Sequence, residues 1–294
     1  MNKYILDTDM GYDPDDLFAL LLLLARDANI ELIISGDEYR LGGRAALIEA
    51  VLRQLGRIDI PVYAGINLGS DDFALDHLVT EIHSRRKENY LAAVGRMLKE
   101  TPSSTNIIYI CIQGASNLAS VLKAFPEAEN RLTVYMMGGS VDYVRPKRIN
   151  WIKHNLKIDP DSFNYVLHSK VKAYLVMAQT THNPVLQVEY DGYWMKEIRA
   201  KGGEVANLIE SHFAPWAEFS KSKGFTSSNM HDPLTVSAAL GDGFCSFNQS
   251  ALAVNSLLQV VEVSAGPQKF WSRPESNAEE FMEFLFSTIF KLMR

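Results

Sequence analysis

Residues 4–20, YILDTDMGYDPDDLFAL, crowd five aspartates (Asp7, Asp9, Asp13, Asp15, Asp16) into ten positions between two apolar segments. The apolar run 4–6 reads as a short buried strand, and LFALLLLLA at 17–25 as a buried helix. The acids therefore occupy a strand-to-helix turn. In an open parallel sheet such turns lie at the carboxyl ends of the strands, where ligands bind. Alternation along the strand predicts Asp7 and Asp9 on one side, with Gly11 permitting a tight or left-handed backbone. Carboxylates this close repel one another, and a bound hard cation, calcium or magnesium, relieves the repulsion. Capping of the helix is the competing use, and Asp15 and Asp16 suit it, but capping needs one or two acids rather than five. An EF-hand loop does not fit, because Gly11 comes too early and no Glu closes a twelve-residue loop.

With 294 residues, 47% of them hydrophobic, and no break in composition, the chain is expected to form one α/β domain over 1–294. A net charge of −6 without a basic stripe argues against nucleic acid or an anionic membrane as partner. The amino terminus enters a strand at once, and the longest apolar run is interrupted by Arg26 and Asp27, too early to span a bilayer. A cytoplasmic location is the expectation. Cys111 and Cys245 suggest no disulfide framework.

Along the chain, strand-like and helix-like segments alternate: strand 30–37, helix 42–56, strand 58–66 entered through Pro61, helix 89–99, strand 106–114, helix 115–125 and strand 131–140. The polar stretch 67–90 reads as a mobile loop or a solvated helix. A further strand, 171–184, ends in polar residues with His182, and an aromatic-rich helical stretch covers 191–219. Asn229, His231 and Asp232 then precede Pro233 and an apolar helix. Residues 251–270 look like a hairpin and the last fifteen like a closing helix. The alternation predicts a mostly parallel central sheet with right-handed crossovers and helices on both faces. Four polar strand ends or helix starts can then converge on one sheet edge.

Taken together, these motifs resemble the calcium-dependent nucleoside hydrolases, the inosine-uridine-preferring N-ribohydrolase family. Its opening DxDxGxDD, or longer DxDxGxDxDD, is met by Asp7, Asp9, Gly11, Asp13, Asp15 and Asp16. The glycine turn before a TN-led helix looks like IQGASNLA at 112–119, and MGG is Met137, Gly138 and Gly139. N-x-x-x-D-P runs from Asn155 through Asp159 to Pro160, and H-D-P-L is His231, Asp232, Pro233 and Leu234. Each motif alone is weak; five in the family's order are hard to obtain by chance. The resemblance implies a Rossmann-like fold and calcium held by the carboxylates of Asp9, Asp16 and Asp232 and the carbonyl of Ile112. It also implies Asp9 as general base toward a calcium-activated water, His231 as proton donor to the departing base, and ribose contacts from Asn155 and from Asp13 or Asp15, of which Asp15 is favoured. A homodimer or homotetramer and a small nucleoside or N-riboside substrate follow from the same likeness.

The chain also departs from the pattern. Lys153-His154-Asn155 replaces E-F-N, so Lys153 suits a phosphate or carboxylate on the substrate better than a sugar hydroxyl. Asp37 and Glu38 follow Gly36 where the family offers GN to the ribose, Gln179-Thr180-Thr181 replaces D-V-T, and the loop after Gly65 lacks an HG segment. The metal residues are retained while the substrate pocket is altered. Bland alternatives exist for single residues: a structural hydrogen bond for His231 or His182, a loop-fixing role for Asn155, and core packing for Phe213, Trp216 and Phe225 rather than stacking on a base. Two other readings of the whole are a magnesium-dependent haloacid-dehalogenase-type phosphatase, with Asp7 as nucleophile and Asp9 as acid, and a metal-stabilised binding protein without turnover.

Overall fold

The computed structural model describes residues 2–39, 42–69, 72–79, 89–141 and 154–293. Lys153 and residues 70, 71 and 80–88 of the polar stretch 67–90 lie outside the described residues. Among the described residues, nine strands form one sheet: β1 (Lys3–Thr8), β2 (Ile30–Ser35), β3 (Val62–Ala64), β4 (Ile107–Cys111), β5 (Leu132–Met137), β6 (Lys172–Val176), then β9 (Cys245–Val254), β10 (Val260–Val263) and β11 (Gln268–Ser276). Two short strands, β7 (Gln187–Glu189) and β8 (Ser227–Asn229), make a separate antiparallel ribbon. The spatial order is β10-β9-β11-β6-β5-β4-β1-β2-β3. Strands β1 to β6 are parallel, β11 continues parallel beside β6, and β9 and β10 are antiparallel.

This order places a switch point at β1. The chain runs outward from β1 through β2 to β3, then returns to the other side of β1 as β4. The crossovers above β1 and β4 diverge there, leaving a crevice beyond their carboxyl ends. The strands are apolar on both faces because both are covered. Leu6, Ile33 and Ile110 enter one core, and their neighbours Ile5, Ile34 and Tyr109 enter the other. The helix Asp15–Ala25 is apolar all round, and Leu17, Leu20, Leu21, Leu22 and Leu23 are fully buried. It packs against the helices His231–Leu240 and Ala278–Ile289, with Phe18 edge-on to Phe286 at 5.7 Å. Each such leucine contributes roughly 2 kcal/mol of burial, so the helix that carries Asp15 and Asp16 is firmly seated.

Several elements differ from the sequence expectation. β3 is confined to three residues, although Ile33 still bonds back to the Pro61 carbonyl at 2.8 Å. β6 stops at Val176, because Ser272 of β11 accepts the Met177 N–H at 2.8 Å and bonds Thr180 at 2.6 Å, and Ala178–Thr181 turns helical. The stretch 191–219 is two helices, Tyr193–Lys201 and Gly203–Ser222, broken at Gly202 with φ of 65°. The expected terminal hairpin is part of a three-stranded antiparallel unit in which β9 lies between β10 and β11, and β11 docks on β6. Among the described residues, no helix is long and apolar enough to cross a membrane.

Candidate active site

The expectation that Asp7 and Asp9 share a side is corrected by the structure. β1 ends at Thr8, so alternation no longer governs Asp9. Asp7 is fully buried and accepts from Tyr109 Oη at 2.7 Å, Gln113 Nε2 at 2.5 Å and Asn117 Nδ2 at 2.9 Å. Burial raises its pKa to about 7 against the pull of these three donors. Asp7 does not line the cavity described below, which removes the phosphatase reading's nucleophile. Gly36 belongs to the same device: a Cβ there would collide with the Gln113 side chain on its way to Asp7.

Asp9, Asp13, Asp15, Asp16 and Asp232 all line one cavity of about 340 Å³ beyond the ends of β1 and β4. Asp15 and Asp16 stand in the first turn of their helix, and Asp232 in the first turn of the helix His231–Leu240 packed beside it. Ligand oxygens of Asp15, Asp16 and Asp232 all lie within 4.8 Å of one another, and the three residues are buried. Burial first, then mutual repulsion, holds all three carboxyl groups well above their ordinary pKa. Burial alone would neutralise them; a divalent cation is the other remedy, and three carboxylates are the hard oxygen set that calcium or magnesium takes. Few neutralising bonds compete: Thr8 Oγ1 donates to Asp16, and the Asp232 N–H reaches Asp15 Oδ2 at 3.4 Å.

Asp13 accepts from Ser228 of β8, and burial raises its pKa to about 6. Asp9 is also raised by burial, opposed by Arg44 and by His154, whose Nε2 lies 3.9 Å from Asp9 Oδ2. Ile112 lines the cavity and its carbonyl accepts from Asn155 Nδ2 at 3.3 Å; the same amide reaches the Met137 carbonyl at 3.3 Å. Asp159, four residues on, caps the helix Pro160–His168 through Ser162 N at 3.0 Å and accepts from Ser116 at 2.5 Å. The N-x-x-x-D-P motif thus joins one cavity residue, Asn155, to one helix cap. Asp37 stands behind this layer, outside the cavity lining. Its Oδ1 accepts the Leu68 N–H at 3.2 Å, and its charge still raises the pKa of Asp9.

At another wall, His231 and His182 meet edge-to-face at 4.8 Å, and Asn229 Nδ2 lies 3.4 Å from His182 Nδ1. Burial, then His182, holds the His231 pKa well below the usual imidazole range, so His231 is neutral at pH 7. Among the described residues its Nδ1 has no hydrogen-bond partner. Trp216, Ser220 and Lys223, spaced by four and three, present one face of the helix Gly203–Ser222 and its cap to the cavity, joined by Tyr12 and Phe225. Phe213 is instead core, packed edge-on against Trp216 at 5.4 Å.

Arg44 belongs to no sequence motif of the site. It is 1% exposed and donates to four carbonyls: Asp37 at 2.9 Å, Met10 at 3.2 Å, Asp72 at 2.7 Å, and Asp9. It also lies 5.4 Å from the Phe73 ring centroid. An arginine opening an otherwise apolar helix at GGRAALIEA was the available signal.

A switch-point cavity whose floor is a buried carboxylate trio able to hold a metal ion, beyond a nine-stranded mostly parallel sheet, is the setting of an α/β enzyme site. The sequence model of the inosine-uridine preferring nucleoside hydrolases matches residues 4–276, and the chain belongs to that family of ribonucleoside N-glycosidic hydrolases. The fold is similar to a plant nucleoside hydrolase at 16% identity and TM-score 0.81, covering 98% of each chain. It is equally similar to a purine-preferring ribonucleoside hydrolase from Gardnerella vaginalis, at 17% identity and TM-score 0.81 over 99% of each chain. An inosine-uridine preferring nucleoside hydrolase from Bacillus anthracis follows at 17% identity and TM-score 0.74, covering 100% of this chain and 99% of that one. No curated protein sequence matches.

Proposed function

We propose that the chain cleaves the N-glycosidic bond of a ribonucleoside or related N-riboside with water, with calcium as its metal. The observation that carries this reading is the trio Asp15, Asp16 and Asp232, buried at the switch point with their pKa values held up and Asp9 beside them. Asp16, Asp232, Asp9 and the Ile112 carbonyl are the proposed ligands. Asp15, whose oxygens sit within the trio, either joins them or takes the ribose position, with Asp13 as the other candidate for the sugar. Calcium suits donors drawn from separate chain segments, because its shell of 6–8 oxygens is flexible. When bound, it would supply Lewis acidity and an anchor for vicinal hydroxyls.

The chain's own groups do the rest. Asp9 takes the proton from the attacking water, and its raised pKa brings it nearer to neutral pH, where a base works best. The carboxylates around it favour the positive charge that develops on the sugar as the bond breaks. Asn155, held between the Ile112 and Met137 carbonyls, is placed to turn its amide to a ribose hydroxyl. His231, neutral, gives a hydrogen bond to the departing base rather than a proton from an imidazolium. Trp216 and Phe225 offer flat apolar surface to that base.

The test is a reducing-sugar assay over purine and pyrimidine ribonucleosides and their 5′-phosphates, with calcium and with a chelator. Sugar release that the chelator stops supports the reading and names the substrate class. Calcium binding without release from any substrate would overturn it in favour of a metal-stabilised binding protein.

A further inference from the structure

We propose that Lys223 makes this cavity selective for N-ribosides whose aromatic leaving group carries an acidic or anionic substituent. The inference rests on the hydrolase reading only in seating the leaving group against Trp216 and Phe225. The cavity's acids lie on its floor, whereas the wall formed by the helix Gly203–Ser222 is aromatic. Among the described residues of the cavity lining, Arg44 and His154 are committed elsewhere. Arg44 is buried and bonded to four carbonyls, and His154 faces Asp9. Among the described residues, Lys223 is therefore the cation of the aromatic wall.

Its ammonium is also positioned. It lies 4.3 Å from the Phe219 ring centroid and 5.4 Å from that of Tyr12, two rings that meet edge-on at 5.6 Å. The Tyr12 hydroxyl is 3.5 Å away. The cation thus sits in an aromatic notch of the same cavity that Trp216 and Phe225 line. Asp72 is its acidic neighbour, at 3.3 Å, and both side chains are more than 40% exposed. So exposed a pair is weak and competes with a ligand anion rather than excluding it. The two aromatic surfaces and the ammonium together match a flat heterocycle bearing negative charge at its rim. A neutral base would leave the ammonium to Asp72.

The experiment is calorimetric titration of the calcium-loaded protein with two free bases that differ only at the ring substituent, nicotinate and nicotinamide. Wild type is expected to bind nicotinate more tightly by about two- to fivefold. Lys223→Met should bring the ratio close to one, Lys223→Gln should do the same with a polar side chain, and Asp72→Asn should widen it by releasing the lysine. Equal affinities in wild type, or a ratio that Lys223→Met leaves unchanged, would overturn the inference. Ribose release from the corresponding ribosides is measured in parallel. Failure of release with the binding preference intact counts against the hydrolase reading alone, and release without the preference counts against this inference alone.

Discussion

The floor and the aromatic wall of the cavity are built in opposite ways. The floor takes its groups from strand ends and first helical turns: Asp9 after β1, Ile112 after β4, Asp15, Asp16 and Asp232 at helix starts. Each is fixed by the sheet, and the helix behind two of them is buried on every side. The wall is one face of a helix that follows a break at Gly202, plus residues just beyond its end. A site held by the sheet is suited to chemistry, where small displacements matter. A helix face with one cation and several rings is suited to choosing among ligands. Floor mutations should therefore act on turnover and metal, and wall mutations on which ribosides bind.

The largest expected effect is at Asp9. Asp9→Ala should lower kcat by about 10²–10⁴, measured at saturating calcium and substrate so that weaker metal binding does not account for the loss. Turnover near wild type would remove Asp9 as the base. Asp232→Asn should weaken calcium binding by about 100-fold or more, with turnover returning in part as calcium is raised. Unchanged calorimetric affinity would mean that the trio is not the metal site.

The acid cluster also sets a pH dependence. Asp13 and Asp7 have native pKa values of about 6 and about 7, raised by burial from the ordinary 3.8, and Asp15, Asp16 and Asp232 are raised as well. Between the unfolded and native values the native chain holds more protons than the unfolded one. Stability of the metal-free protein therefore falls as pH rises through that window, from about pH 4 to about pH 7. Thermal unfolding in chelator should show Tm decreasing from pH 5 to pH 7.5, and calcium should flatten the curve by holding the trio ionised. A metal-free Tm that rises over this range would contradict the placement of the acids.

The floor was legible in the sequence because its acids are local: five aspartates in one turn announce themselves, and His231-Asp232-Pro233 marks a helix start. What the strand period could not tell was that β1 stops at Thr8, which sends Asp7 to Tyr109, Gln113 and Asn117 and leaves Asp9 to the cavity. Arg44 was hidden for a related reason. Its partners are backbone carbonyls on three separate segments, and carbonyls leave no mark on residue types. The wall was half visible: Trp216 and Phe225 line it while Phe213 is core, and aromatic spacing alone does not separate the two uses. Lys223 belongs to the site only because the chain folds the helix end over Tyr12.

Arg44 sharpens the comparison with a smaller effect. A lysine ammonium cannot span the Asp9, Met10, Asp37 and Asp72 carbonyls as a guanidinium does. Arg44→Lys should therefore lower kcat by about 10- to 100-fold, the range of residues that orient a metal or catalytic ligand. Calcium affinity should change less, because no Arg44 hydrogen bond reaches an Asp15, Asp16 or Asp232 oxygen. A parallel loss of calcium affinity would make Arg44 a support for the whole floor rather than for the Asp9 backbone.

Trp216→Leu carries the smallest expected effect and bears most directly on the wall. Trp216 is 3% exposed overall, yet it contributes to the cavity surface while Phe213 backs it. Replacing its ring by leucine keeps apolar bulk but removes the plate on which a base would stack, worth about 0.5–1.5 kcal/mol, or roughly two- to tenfold. That loss should appear in KM, with kcat close to wild type, because the acids of the floor are carried by other elements. It should also be larger for bicyclic than for monocyclic bases, since the larger ring overlaps more of the indole. A fall in kcat with KM unchanged would mean that the wall takes part in the bond-breaking step, and the division between a chemical floor and a selective wall would fail.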